Sequence, residues 1–167
     1  ISTSCSEAKY REVFKMRKVK AIEPQQKFNN LLIKGISEVK GVNLTALSAL
    51  PVSNTTCDNK RFDFEREIIH NSLSYEYLPF RNGKITRYLD LYFNSKKSIK
   101  EWVLKNRGKK SCIIVDVLSP FLILGAFSIA KKYNVPVIGI ITDLPNLSTN
   151  MKDRRESIIK KCALTVV

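Results

Sequence analysis

The sequence predicts an α/β fold with an open, mainly parallel sheet and helices on both faces. Two short apolar runs, residues 111–117 (SCIIVDV) and 135–141 (VPVIGII), show no polar and apolar alternation. Continuous runs of this kind are typical of strands buried on both faces of a parallel sheet. A helical segment at residues 120–133 separates them, and this order of strand, helix and strand favours a Rossmann-like sheet.

The first half of the chain contains further elements that suit such a sheet. Residues 1–4 are interpreted as the end of a first strand. Residues 24–39 predict an amphipathic helix that begins at a proline, because apolar residues recur there every three or four positions. Gly41 ends this helix, and residues 42–50 alternate as a strand does.

The second half begins with a polar segment, residues 52–66, which predicts a loop. Two short strands follow at residues 67–70 and 73–79, and residues 81–83 predict a turn. Residues 85–106 predict a long helix with many basic residues on its outer face.

The composition is that of one compact domain. Hydrophobic residues make up 44% of the 167 positions, which is enough to bury a core. A helix at residues 149–161 and a strand from Ala163 onwards complete the pattern. Because both ends of the sequence fall within predicted strands, we expect residues 1–167 to be a single domain of a longer protein.

The charge balance indicates partners rather than fold. The chain has 29 Lys and Arg against 15 Asp and Glu, a formal net charge of +14. This surplus favours nucleic acid, an anionic membrane or a phosphate-bearing substrate. A basic surface that is merely solvated remains the alternative.

Cysteine and histidine usage disfavours zinc sites and disulfide frameworks. The four cysteines lie far apart and there is a single histidine. Cys112 and Cys162 lie in or beside apolar runs and are interpreted as small core residues in a reducing compartment. His70 lies in a predicted minor strand and is interpreted as a half-buried structural residue rather than a base. No metal site is predicted.

Polar residues cluster where predicted strands end, which is where open parallel sheets bind ligands. The predicted site residues are Gln25, Gln26, Lys27 and Asn29 around the start of the first long helix, Asp116 after one buried strand, and Thr142 with Asp143 after the next. Asp143 is the one candidate for a catalytic role. Asp116 and Asp143 could equally hold their own loops, and the glutamines could be ordinary first-turn residues.

Several established motifs are absent from the sequence. It contains neither GxGxxG nor GxxxxGK[ST], and it has no GxSxG nucleophile elbow. These absences disfavour dinucleotide-binding proteins, P-loop proteins and serine hydrolases.

Basic residues concentrate at residues 9–20 and 81–110. In the first segment, Tyr10 and Phe14 alternate with lysines and arginines. This mixture is consistent with a helix on an anionic membrane, and equally with a mobile segment folded over the site.

Four stretches carry a resemblance to a known family. They are PQQKFNNLLIKGI, VNLTALSALPV, YEYLPFRNGKITRYLDLYF and CIIVDVLSPFLILGAFSIAKKYNVPVIGIITDLP. In their order and spacing they resemble the N-terminal domain of family 4-like glycosyltransferases with the GT-B fold, over nearly the whole chain.

The resemblance implies a retaining enzyme of two Rossmann-like domains with the active site between them. This chain represents the N-terminal domain, which binds a glycan or lipid-linked acceptor. The nucleotide-sugar donor is expected to bind a C-terminal domain that this chain does not contain. No cofactor is therefore expected here, and residues 1–167 alone are expected to be inactive.

The resemblance also assigns positions. Residues 21–27 correspond to the family's loop after the first strand, which is commonly glycine-rich but reads Ile-Glu-Pro-Gln-Gln at residues 22–26. Thr142-Asp143 corresponds to a His-Asp pair in many members, with Thr142 in place of the histidine. Asp143 would then orient the acceptor or shape the cleft wall.

The resemblance further implies a cytoplasmic protein, peripheral on the inner membrane face, with an anionic membrane surface as a partner. Nucleic acid is the less favoured partner, because no RNP-like, helix-turn-helix or zinc-finger pattern occurs. The alternative function is a basic α/β module that binds nucleic acid or a protein partner without catalysis.

Overall fold

The computed structural model describes residues 1–16, 24–116 and 120–140, which form a mixed α/β protein. Within these residues the helices are α1 (Glu7–Lys15), α2 (Pro24–Ser37), α3 (Thr86–Lys105) and α4 (Pro120–Tyr133). The strands are β1 (Leu44–Ser48), β2 (Arg61–Phe62), β3 (Glu65–His70), β4 (Leu73–Tyr77), β5 (Phe80–Arg81), β6 (Ile113–Asp116) and β7 (Val137–Ile140). The described residues divide into two compact units, those within 2–94 and those from 95 onwards together with Ile1.

The unit formed by residues 2–94 contains a sheet with strand order β1-β4-β3. Strands β1 and β4 are parallel, with Ser48 opposite Tyr77 at their carboxyl ends. Ser2 extends this parallel arrangement on the other side of β1. Its N–H donates to the Leu47 carbonyl, and the N–H of Ala49 donates to its carbonyl, both at 3.2 Å.

The core of this unit follows from the alternation of β4. Leu73, Tyr75 and Tyr77 are buried on one side of the strand, and Leu78 continues the core. Helix α2 packs against β1. The predicted strands at residues 42–50 and 73–79 are thus confirmed, although the first is shorter at both ends and the second at its carboxyl end.

Strand β3 forms the edge of the sheet and pairs antiparallel to β4. The register shifts between Ile68 and His70, which marks a bulge. Phe64 and Ile68 are exposed. The sheet is therefore mixed, with a parallel pair inside and an irregular antiparallel strand at its edge.

The segment predicted as a loop, residues 52–66, contains more regular structure than expected. It includes β2, which pairs antiparallel with β5, and the start of β3. The rings of Phe62 and Phe80 lie 5.0 Å apart across the β2–β5 pair. This aromatic pairing gives a short polar segment enough apolar contact to form a ladder.

The other unit contains β6, α4 and β7, and β6 and β7 pair in parallel. Ile1 lies beside β6, where its nitrogen donates to the Ile114 carbonyl at 2.6 Å and its carbonyl accepts from Asp116 N–H at 2.9 Å. Helix α4 packs against β6. Ile138 of β7 is 50% exposed, so the expected burial of both faces is wrong for β7. An apolar run favours a strand but does not determine which helix covers it.

Helix α2 begins at Pro24 as predicted, but its apolar positions are not the ones it buries. Gln26, Asn29 and Ser37 are buried, whereas Phe28 and Leu31 are exposed. Gln26 is turned inward because its side-chain amide donates to the Thr3 carbonyl, and the backbone carbonyl of Ser37 accepts from the Ser72 hydroxyl.

Two smaller interpretations are wrong. Cys112 is exposed rather than a core residue, because it precedes the buried part of β6. His70 is exposed rather than half-buried, since it lies at the end of the edge strand β3. Cys5 and Cys57 are the buried thiols among the described cysteines.

None of the helices in the described part of the chain combines the length and hydrophobicity needed to cross a bilayer. The predicted helix at residues 149–161, the strand after it and Cys162 lie outside the described residues. The predicted helices at residues 85–106 and 120–133 are confirmed as α3 and α4.

We expect Gly35→Ala to raise the free energy of unfolding by about 0.5–1 kcal/mol. Gly35 lies inside α2, and nothing lies within 4 Å of where a Cβ would be placed. Gly41 is the matched control, because its φ of +83° makes alanine unfavourable there. Urea denaturation followed by circular dichroism measures both variants. A loss of stability in Gly35→Ala contradicts the expectation.

Candidate functional site

The unit 2–94 contains a loop at residues 2–6, here called the serine loop, whose Ser2, Ser4 and Ser6 are buried polar residues. It joins the segment that pairs with β1 to the start of α1. Ser48 ends β1 and Tyr77 ends β4. Because the carboxyl ends of parallel strands meet at one edge of a sheet, these residues and the serine loop share that edge.

Buried hydroxyl groups hold the first part of the serine loop. The Oγ atoms of Ser2 and Ser4 lie 2.5 Å apart, and the Ser4 N–H donates to Ser2 Oγ at 3.1 Å. Ser48 Oγ donates to the Ser4 carbonyl. Ser4 and Ser48 are fully buried. Buried polar groups whose hydrogen bonds are all made within the protein fix the path of the backbone.

Tyr77 and Glu67 hold the second part of the loop. The Ser6 N–H donates to the Tyr77 hydroxyl oxygen at 3.1 Å, and the Tyr77 hydroxyl donates to Glu67 Oε2 at 2.8 Å. Ser6 Oγ donates to the other oxygen, Glu67 Oε1, at 2.9 Å. One carboxylate therefore accepts from both residues and closes a ring of hydrogen bonds.

Ser6 is also the N-cap of α1. Its Oγ accepts from the Lys9 N–H at 3.1 Å, which satisfies one of the free donors of the first turn. Burial raises the pKa of Tyr77 far above its ordinary value, and the hydrogen bonds from Ser6 only partly oppose this. Tyr77 is therefore a neutral hydrogen-bond donor at physiological pH.

Lys9 adds the positive charge of the network. Its side chain is buried, and its Nζ donates to Glu65 and to Glu12, the latter at 3.0 Å. Nζ also lies 5.8 Å from the centre of the Tyr77 ring. Burial lowers the pKa of Lys9, but the hydrogen bonds and charges of the two carboxylates outweigh it, so the pKa is raised.

Gln26 connects α2 to the serine loop. Its Nε2 donates to the Thr3 carbonyl at 2.7 Å, and its Oε1 lies 4.0 Å from Cys5 Sγ as a weak acceptor. Asn29, one turn later, is also buried, whereas Lys27 is exposed. The predicted site residue Gln26 is thus placed at the loop, and its role is to support the backbone.

The other predicted site residues are Asp116, Gln25, Thr142 and Asp143. Asp116 is buried at the end of β6, in the other unit. The side chain of Gln25 lies outside the described residues, as do Thr142 and Asp143. The proposed role of Asp143 therefore stays a prediction.

Sequence reasoning missed most of this network. Residues 1–4 predict only a strand end, and residues 9–20 predict a segment that faces a membrane or folds over the site, whereas Lys9 is buried. One local signal was available, because Ser6 followed by Glu7 is typical of a helix start. The alternation of Leu73, Tyr75 and Tyr77 was a second signal that the Tyr77 hydroxyl must find a partner.

The hydroxyl, carboxylate and amide groups of this network bond to one another and to the backbone of the serine loop, so they fix the path of the loop. Cys5 is fully buried. Within the described ranges, no three His, Cys, Asp or Glu side chains are grouped so as to hold a metal ion.

Comparison with family models, with curated proteins and with solved structures gave no match to this chain.

Proposed function

We propose that this chain is the acceptor-side domain of a glycosyltransferase with the GT-B fold, similar to family 4. The proposal includes the finer fold, an open and mainly parallel Rossmann-like sheet. The parallel pairs β1–β4 and β6–β7, with α4 between the strands of the second pair, support this fold. The observation that carries the function is the serine loop and its polar network at the carboxyl ends of parallel strands.

In this proposal the serine loop positions the acceptor. A glycan or lipid-linked sugar presents a hydroxyl group, whose oxygen attacks the anomeric carbon of the donor as the nucleoside diphosphate leaves. The donor binds a second domain, and the transfer retains configuration. Holding the acceptor hydroxyl in one geometry supplies a large part of such a rate enhancement. The network of Gln26, Tyr77 and Glu67 fixes the loop that does this.

The proposed enzyme works in the cytoplasm, at the inner face of the membrane where lipid-linked acceptors are found. Lys27 and Asn29 of α2, and Asp116 after β6, are retained in this proposal as residues of the acceptor side. Thr142 and Asp143 are retained with them.

The net charge of +14 favours a second candidate, a basic module that binds nucleic acid or a protein partner. Phosphate contacts of Lys and Arg make nucleic-acid binding strongly salt-dependent. A mobility-shift assay with short DNA and RNA duplexes at low salt distinguishes the two functions. A nucleic-acid-binding module is expected to shift the duplexes whatever their sequence, whereas an acceptor-binding domain is expected to give no such shift.

The test of the first candidate is turnover by the longest natural form of the protein. Release of nucleoside diphosphate is measured with a panel of nucleotide sugars and with glycan or lipid-linked acceptors. We expect turnover in that form and none by residues 1–167 alone. Turnover by residues 1–167 contradicts the assignment of the donor to a second domain.

We expect Gln26→Ala to lower kcat/KM for the acceptor by about tenfold, because the Thr3 carbonyl loses its donor and the serine loop shifts. Lys34→Ala is the matched control on the exposed side of α2. Equal activity of both variants would show that the loop does not position the acceptor.

A further inference from the structure

The turn between β5 and α3 contains the one Asn-Gly pair of the sequence, Asn82-Gly83. An asparagine followed by glycine is chemically labile, because the backbone nitrogen of the glycine can attack the carbon of the asparagine side-chain amide. The product is a cyclic imide. Glycine favours this ring closure since it has no Cβ to hinder the approach.

In the folded protein the amide of Asn82 holds two parts of the chain together. Asn82 is buried, and its Nδ2 donates to the Cys57 carbonyl at 3.3 Å and to the Asn59 carbonyl at 3.0 Å. Its backbone N–H donates to the Lys60 carbonyl at 2.8 Å. Because imide formation expels Nδ2 as ammonia, the reaction requires both side-chain hydrogen bonds to break. The fold therefore protects this amide until the turn opens.

The surroundings of Gly83 favour the glycine that makes Asn82 labile. A Cβ at position 83 would lie 2.4 Å from Thr86 Oγ1, at the first residue of α3. This separation is too short for two non-bonded atoms, so a larger residue requires the Thr86 side chain to move. The tight approach at the start of α3 thus explains why a glycine follows Asn82.

Deamidation would remove the contacts that Asn82 makes. In the aspartate product an oxygen atom replaces Nδ2, and the carbonyls of Cys57 and Asn59 lose their donor. The other oxygen, Oδ1, is already buried without a hydrogen-bond partner among the described residues. A buried negative charge that faces carbonyl oxygens is costly. The native contacts of this turn therefore disfavour the product.

We propose that Asn82-Gly83 is a site of spontaneous deamidation that makes the opening of this turn irreversible. When the turn opens, a bond forms between the Gly83 nitrogen and Cγ of Asn82, and the bond between Cγ and Nδ2 breaks. The proton of the Gly83 N–H passes through solvent to the departing ammonia. Water then hydrolyses the imide to aspartate or isoaspartate, so one water is consumed and one ammonia is released. The inference does not depend on glycosyl transfer.

The test compares the protein folded in buffer with the protein unfolded in urea, both at mildly alkaline pH. Peptide mapping by mass spectrometry follows each asparagine with time. We expect Asn82 to deamidate at least about tenfold faster in urea than in the folded protein. Asn94 is the internal control, because its Nδ2 also donates to a carbonyl, that of Pro79, but a serine follows it. In urea Asn82 should react clearly faster than Asn94.

Refolding measures the consequence of the reaction. After storage in urea, the fraction of protein that regains its native circular dichroism should fall as deamidation at Asn82 proceeds. The double variant Gly83→Ala with Thr86→Ala is the control. Its alanine hinders imide formation, the close contact with Oγ1 is removed, and the φ of Gly83 is not positive. We expect this variant to refold equally well before and after storage.

Asn82→Asp reproduces the main charge change without storage. We expect it to lower the urea midpoint clearly, or to prevent folding, whereas Asn59→Asp leaves the midpoint almost unchanged because the Asn59 side chain is exposed. Equal midpoints of the two variants would contradict the proposal. Equal deamidation rates in buffer and in urea, or a rate at Asn94 that matches that at Asn82 in urea, would also overturn it. The peptide maps are made on the unmodified sequence, so they decide the matter even if Asn82→Asp does not fold.

Discussion

Tyr77→Phe is expected to lower the free energy of unfolding by about 1–3 kcal/mol, although it removes a single oxygen atom. The Tyr77 hydroxyl accepts from the Ser6 N–H and donates to Glu67, and both partners lose a hydrogen bond in the variant. A buried donor without a partner costs more than the hydrogen bond itself contributed. Urea denaturation measures the change.

Tyr75→Phe is the matched control for this prediction. Tyr75 is buried two residues earlier on the same strand, and its ring stacks on that of Tyr77 with the centres 5.9 Å apart. Its hydroxyl takes no part in the hydrogen bonds of the serine loop described above. If the two variants lose the same stability, the Tyr77 hydroxyl does not hold the loop. The same two variants test the role of the loop in acceptor binding, because only Tyr77→Phe should lower kcat/KM for the acceptor.

We expect the protein to lose stability steeply between about pH 10 and pH 12. Burial, with a smaller contribution from the charges of Cys5 and Glu67, raises the pKa of Tyr75 to about 12. The pKa of Tyr77 is raised further by burial. Above pH 10 the unfolded chain releases these protons and the folded chain keeps them, so stability falls by about 1.4 kcal/mol per pH unit for each tyrosine.

Lys9 acts in the same direction. Its pKa is raised in the folded state, so its contribution is complete below the ordinary value of 10.5 and is lost as the pH rises through the raised value. Urea midpoints measured from neutral pH to pH 12 give the slope. Tyr75→Phe should reduce the slope by the contribution of one tyrosine, about 1.4 kcal/mol per pH unit. A flat profile above pH 10 would contradict the burial of both hydroxyls.

The helices and most strands could be predicted because their signals are local. The apolar spacing of α3 and α4, and the alternation in β4, depend on residues a few positions apart. Such periods survive in any tertiary setting that buries one side of the element. The bounds differed by a few residues, since the ends of elements depend on capping and on neighbouring strands.

The candidate site could not be predicted in the same way. Ser6 meets Glu67 and Tyr77 at separations of 61 and 71 residues, and no local pattern reports such a contact. The side of α2 that faces inward could not be predicted either, because Gln26 is buried through its hydrogen bond to the Thr3 carbonyl. The apolar spacing of residues 24–39 predicts an inward apolar side, but Phe28 is exposed and Gln26 is buried, where it supplies the hydrogen bond that the Thr3 carbonyl needs.

Strand β3 leaves one row of backbone N–H and C=O groups without a neighbouring strand among the described residues. Such a row can act as a template for other chains and start aggregation. The bulge between Ile68 and His70 interrupts the row, and Glu65 and Arg66 place charges along it. The exposed Ile68 therefore lies beside a bulge and charged residues, features that disfavour pairing of this edge with another chain.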